Sequence, residues 1–283
     1  MNLESKFNYI DIHTHVNFSA FDADRDLVVK RALEAGVAMV NVGTQIDTSH
    51  SAVDLSEKYE SGVYAIVGVH PIHSDKSFHD EKEFGQGNKE FTSRGEVFDT
   101  ESYRILAKHP KVLAIGECGL DYYRLSEETE KKQIENFVSQ IDLANEVGKP
   151  LMLHVRNGSG RSAYKEAVSL LKSHSKVRGN FHFFAGDVEE AKEILDGGHS
   201  FSFTGVITFA KEYAEVIQYL PMERIMSETD APYVTPVPYR GKRNEPRYVK
   251  EVVKKIAEIK KMDLEAVRLQ ILENARKYFN VAF

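Results

Sequence analysis

Short apolar runs alternate along this chain with longer stretches whose apolar residues recur every three to four positions. The short runs fall at 9–15, 37–43, 63–69, 112–117, 150–155, 179–184, 200–204 and 224–229, and their branched side chains suit buried strands. Between them the spacing predicts helices at 26–35, 49–59, 101–108, 126–147, 162–173, 188–195 and 213–219, with a helix pair from 247 onward. The clearest is 126–147. Ser126 is placed to cap it, Glu127 and Glu128 complement the positive end of its dipole, and Ile134, Phe137, Val138, Ile141 and Ala144 line one face. Gly148 and Pro150 then end the helix and open the next strand. Such alternation predicts an α/β fold, either a closed (β/α)8 TIM barrel or a doubly wound open sheet.

Candidate metal ligands decide between the two. His13 and His15 close the first run, and residues two apart on a strand point to the same face, so both imidazoles converge. Glu117, His154, His182 and Asp230 each follow an apolar run of their own. In a barrel the C-terminal ends of all strands share one mouth, so ligands from the first, fourth, fifth, sixth and eighth strands meet there; an open sheet would spread them. The pattern therefore predicts a single barrel domain over 1–283 of the metal-dependent hydrolase type.

Composition refines this picture. With 283 residues and 42% hydrophobic content the chain can bury one large core. It opens on a polar segment and has no apolar run near the ~18 residues of a membrane span, so it reads as soluble and cytoplasmic, with no obligate protein partner in view. Cys118 is the single cysteine, which excludes an intrachain disulfide; with Glu117 pointing into the barrel, its strand neighbour faces the helix layer. A net charge of -6 argues against a protein that coats duplex DNA. One stretch reverses the sign: Arg240, Lys242, Arg243, Arg247 and Lys250 stand against Glu245 alone, either to steer an anionic substrate or as a solvated face.

Several segments resemble the TatD-type metal-dependent deoxyribonucleases, within the wider amidohydrolase-like barrel hydrolases: Asp11-Ile12-His13-Thr14-His15, Val67-Gly68-Val69-His70-Pro71, Ala114-Ile115-Gly116-Glu117-Cys118-Gly119-Leu120-Asp121-Tyr122, Leu153-His154-Val155-Arg156, His182-Phe183-Phe184-Ala185-Gly186, Glu228-Thr229-Asp230-Ala231-Pro232-Tyr233 and Pro238-Tyr239-Arg240-Gly241-Lys242-Arg243-Asn244-Glu245-Pro246. The resemblance spans almost the whole chain. It implies two divalent metal ions per subunit, Zn, Mn or Mg. His13, His15 and Asp230 would hold one ion, His154 and His182 the other, and Glu117 would bridge them, placing negative charge between two cations. A water activated there becomes the nucleophile, and Asp230 serves as both ligand and general base.

The resemblance also implies substrate contacts from Arg156, Arg240, Lys242 and Arg243, which can bind phosphate. His70 either contacts phosphate or a leaving oxygen, or caps a strand turn. Asp121 and Glu228 either orient ligands or cap loops. His50, His73, His79, His109, His174 and His199 read as surface or core residues, and Phe183 and Phe184 as core with one free to line a pocket. Two departures stand out. Asn157 with Gly158-Ser159-Gly160 occupies a place where family members commonly carry an acid, and a charged insertion at about 74–100 follows His70-Pro71, where it would act as a lid. The expected function is cleavage of DNA phosphodiester bonds, exonucleolytic on single-stranded ends. The alternatives are a same-scaffold hydrolase of another ester or amide, such as an aminoacyl-tRNA or small metabolite, and a non-catalytic metal-stabilised interaction protein.

Overall fold

The computed structural model describes residues 6–76, 78, 79, 91, 92, 94–123 and 126–283. Eight parallel strands form one sheet in chain order: β1 (Tyr9–Thr14), β2 (Val37–Val42), β3 (Val63–Val67), β4 (Val112–Asp121), β5 (Leu151–Arg156), β6 (Gly179–Phe181), β7 (Ser200–Phe203) and β8 (Ile225–Ser227). Helices alternate with them: α1 (Arg25–Glu34), α2 (Ile46–Glu57), α3 (Thr100–Ala107), α4 (Glu127–Val147), α5 (Ala163–His174), α6 (Val188–Asp196), α7 (Tyr213–Tyr219), α8 (Val249–Lys260) and α9 (Leu264–Phe279). This is the (β/α)8 barrel expected from the ligand distribution.

The seam between β1 and β8 is closed by a mixture of backbone and side-chain bonds. Ser227 Oγ donates to Ile10 O at 3.2 Å, Asp230 N to His13 O at 2.9 Å and His15 N to Ala231 O at 2.8 Å. The Asp11 carboxylate, fully buried, accepts from His13 N at 3.3 Å, from Thr229 N at 2.8 Å and from the Thr229 hydroxyl. One acid thus ties together the two strand ends that carry His13, His15 and Asp230.

Local signals act as the sequence predicts. Ser126 Oγ accepts from Thr129 N at 3.2 Å while Thr129 Oγ1 accepts from Ser126 N at 2.8 Å, a reciprocal cap for α4, and Gly148 ends that helix at φ 66°. Strand residues Ile10, Ile12, Val40, Ile66 and Met152 pack in one apolar cluster with Leu272, Ala275 and Phe279 of α9. Cys118 is buried in the main core, where burial and the neighbouring Glu117 charge push its thiol well up, so it is an inert packing residue. Among the described residues, no helix is long and apolar enough to cross a membrane.

Much of the charged insertion, 80–90 with 77 and 93, lies outside the described residues, and so does the lid expected there. Its described arms are anchored. Phe78–His79 pairs antiparallel with Phe91–Thr92, and the Glu96 carboxylate accepts from Ile46 N at 3.2 Å and Tyr103 Oη at 2.6 Å.

Candidate metal centre

The six predicted ligands converge at the C-terminal mouth of the barrel. β1 delivers His13 and His15 with their Nε2 atoms 3.2 Å apart. β4 delivers Glu117, and its two oxygens face opposite ways. Oε2 lies 3.4 Å from His13 Nε2 and 3.8 Å from His15 Nε2, whereas Oε1 lies 2.8 Å from His182 Nε2 and 3.0 Å from His154 Nδ1. Beyond β8, Asp230 Oδ1 approaches His15 Nε2 at 3.3 Å and His13 Nε2 at 3.7 Å. The strands must approach closely for this, and Gly119 permits it: a Cβ there would lie 2.1 Å from His154 O.

These spacings fit cations. Ligands held 2.0–2.1 Å from a tetrahedral ion are roughly 3.3–3.4 Å from one another, a value that the 2.8–3.8 Å separations around Glu117 bracket. Ring orientation fits as well. His15 Nδ1 lies 2.9 Å from Val42 O, an acceptor only, so Nδ1 carries the proton and Nε2 presents a lone pair to the centre. His154 Nε2 is 2.9 Å from Asp121 Oδ2, and His182 Nδ1 is 3.4 Å from Glu228 Oε1, outside hydrogen-bond geometry but in charge contact. Such carboxylates behind the ring fix a ligating imidazole. Glu228 is itself held by Phe183 N and Ser202 Oγ, each at 2.6 Å. Asp121 and Glu228 thus stand behind the His154 and His182 rings, where they can orient them.

His70 behaves differently. Its Nδ1 accepts from Ile72 N at 3.1 Å, so the proton sits on Nε2, which points at Glu117 Oε1 3.2 Å away. A protonated nitrogen cannot ligate, so this ring positions the carboxylate in its present tautomer.

The electrostatics call for positive charge. Burial works to raise the Glu117 carboxyl, but its interactions with the His70, His182 and His13 imidazoles outweigh it and hold Glu117 well below the usual carboxylate range. In His182 and His154 burial is likewise outweighed, by Glu117 and Glu228 for the first and by Asp121 and Glu117 for the second, so both are raised. His13 goes the other way: burial and the His182 charge push it down to about 3. Imidazolium protons and bound cations are alternative ways of balancing the same acids.

The centre opens into a cleft of about 630 Å³. Besides the ligands, Phe18, Phe183, Tyr213, Tyr233, Val234 and Arg156 line it. Three of these cleft residues carry backbone strain, with φ of 43° at Phe183, 55° at Asp230 and 50° at Val234; the other non-glycine residues with positive φ, Lys261 and Asn280, are helix C-caps. Each strained position costs on the order of 1–3 kcal/mol. At Phe183 the left-handed turn breaks strand alternation, so His182 and Phe183 both face the cleft while Phe184 enters the core.

Of the expected substrate contacts, the structure brings His70 and Arg156 to the cleft wall, but not Arg240, Lys242 or Arg243. Arg156 stacks over Tyr123 with its guanidinium carbon 3.9 Å from the ring centre. Arg243 Nη2 lies 2.8 Å from both oxygens of Asp24, and Arg247 Nε lies 3.0 Å from Glu245. Part of the basic stretch is thus neutralised by partners that a charge count does not register. Arg240 stacks on Phe209 at 4.1 Å, and Lys242 is exposed.

Sequence reasoning misses two contributors. Asp11 stands in a motif with no role of its own, and its place at the seam follows only from barrel closure. His73, read as surface or core, lines the cleft; its position three residues after His70 on a short 3-10 turn was the available signal. Asn157 also lines the cleft, where Nδ2 donates to Glu190 Oε1 at 2.9 Å and Oδ1 accepts from Ala163 N at 2.8 Å.

Comparison with known proteins places the chain in a family. The family model described as TatD related DNase matches residues 10–280. A Bacillus subtilis protein named uncharacterized metal-dependent hydrolase YabD is 36% identical over 276 residues, covering 96% of this chain and 98% of that protein. The 3'-5' ssDNA/RNA exonuclease TatD of Musicola paradisiaca is 32% identical over 279 residues, covering 96% and 97%. Among solved structures, the TatD homologue YJJV of Escherichia coli superposes with a TM-score of 0.80 at 25% identity, covering 98% of this chain and 99% of that one.

Proposed function

Because this chain belongs to the TatD related DNase family, we propose that it is a phosphodiesterase that trims single-stranded DNA from an end, using two divalent ions. That it is a metal-dependent hydrolase follows from the family; the substrate and the number of ions are our reading. One observation carries it: the single Glu117 carboxylate turns one oxygen to the His13–His15 pair and the other to His154 and His182. Two ions fit such a carboxylate better than one.

Bound in these two sets, divalent ions would supply Lewis-acid polarisation of a phosphate oxygen and lower the pKa of a water. The chain's own groups do the rest. Asp230 Oδ1, held at the mouth 3.3 Å from His15 Nε2, takes the proton from the attacking water. Arg156, on the cleft wall beyond His154, receives the phosphate through its N–H fork. His70 keeps its Nε2–H on Glu117 and holds that carboxylate in register.

One observation favours the second reading, a small-ester hydrolase. With Arg243 on Asp24 and Arg247 on Glu245, Arg156 is, among the described residues, the arginine left to the cleft wall, enough for a single phosphate. End-labelled single-stranded DNA, incubated with metal-reconstituted protein and with its Glu117→Ala and Asp230→Ala variants, separates the two. Stepwise shortening that is lost in both variants and in chelator supports the nuclease. Intact DNA alongside hydrolysis of a small phosphate ester would sink it.

A further inference from the structure

Phe183 and Val234 pose a problem that the metal centre does not solve. Both are apolar, both line the cleft, and both sit at positive φ, a region that residues with a Cβ rarely adopt. Asp230 shares this strain, but there it aims a ligand. The Phe183 backbone N–H helps to hold Glu228 behind His182, but neither the Phe183 nor the Val234 side chain offers a ligand atom, so metal binding does not explain why apolar side chains stand at these two strained positions.

The surroundings keep both in place. The Phe183 N–H is bound by the buried Glu228 carboxylate, and room for the Val234 backbone comes from Gly205, where a Cβ would lie 2.4 Å from Val234 O. The same cleft is lined by Tyr213 and by Arg156, whose guanidinium lies flat over Tyr123. Apolar, aromatic and guanidinium faces therefore border the region where the scissile phosphate must lie, and they reach it from the end of β5, the loops after β6 and β8 and the start of α7.

We propose that Phe183, Val234, Tyr213 and Arg156 form a subsite for the unpaired terminal nucleobase of the strand being cut. The inference rests on the phosphodiesterase reading and deepens it. A planar, uncharged base beside an anionic phosphate is the ligand that matches a π-rich wall carrying one guanidinium. Every base has a π-face, so the subsite selects unpaired ends over paired ones without reading sequence. In a duplex the terminal base must first leave its partner and its stack.

The test compares two single-stranded oligonucleotides, one ordinary and one with abasic nucleotides at both ends, digested by metal-reconstituted protein and by its Phe183→Leu, Phe183→Gly and Tyr213→Leu variants. In the wild type, kcat/KM should favour base-bearing ends by about tenfold, the scale of one base–aromatic stack. In the three variants this ratio should fall toward one, mainly through KM on the base-bearing strand. Phe183→Gly adds a check on folding, because glycine relieves the strain and should keep or raise the melting temperature. Equal cleavage of both strands by the wild type, or an unchanged ratio in Phe183→Leu and Phe183→Gly, overturns the subsite and leaves the nuclease reading standing. Failure of the wild type to cut either strand defeats both.

Discussion

His15, on the β1 side of the centre, is turned by the backbone carbonyl of Val42, whereas His154 and His182, on the β5–β6 side, have the carboxylates of Asp121 and Glu228 behind them. A carbonyl fixes a tautomer and adds no net charge. A carboxylate also makes the imidazole more basic and a stronger ligand. The β1 side draws its own acid from beyond the seam, as Asp230 held at positive φ by the chain around it. Glu117 alone is common to both. The two sides should therefore bind cations with different affinity while sharing one carboxylate.

Removing the shared group gives the largest effect. Glu117→Ala should cut turnover by about 10³-fold or more and lower the metal content, measured by elemental analysis of the folded variant. Full metal content with normal turnover would end the bridging assignment. A step smaller, Asp121→Asn should weaken one metal-binding event by roughly 10–100-fold in a calorimetric titration and leave the other in place. Equal weakening of both events would break the comparison, because it would mean that the sides do not bind independently.

Asn157 offers a sharper probe of the acid-rich side. Its amide donates to Glu190, which is only 7% exposed, so Asn157→Asp would set two carboxylates against each other. A loss of about 1–3 kcal/mol in a urea titration is expected. Unchanged stability would show that the loop after β5 relaxes freely. An amide suits position 157 because its Nδ2 donates to Glu190 at 2.9 Å.

The smallest effect separates acid lability of the centre from that of the scaffold. His199 lies far from the ligands in sequence and accepts a hydrogen bond from Gly179 N at 3.0 Å; burial, with the charges of Arg224 and Lys172, pushes it down from 6.5 to about 4. The folded state thus prefers neutral His199 more than the unfolded state does. Its contribution is present above pH 6.5 and is lost as pH falls toward 4. Metal-free protein should lose about 2 kcal/mol more between pH 7 and pH 5 than its His199→Gln variant. An identical pH dependence in the two proteins would remove His199 from the account.

Strand burial and helix capping are written locally along this chain. Eight apolar runs became the eight strands of one barrel, and Ser126 and Gly148 end their helix as their chemistry dictates, because strand burial and helix capping are local properties. The convergence of His13, His15, Glu117, His154, His182 and Asp230 follows from the same local pattern: each follows a strand, and parallel strands in a barrel share one mouth. What these groups face depends on how the barrel closes. That Glu117 turns an oxygen to each side, that Asp11 clasps the seam, that Arg243 is taken up by Asp24, and that Phe183 turns into the cleft while Phe184 does not are all set by neighbours remote along the chain or by one strained dihedral. Hydrophobic period and charge count record what a residue is. The partner that completes its hydrogen bonds or neutralises its charge is chosen only when the barrel closes.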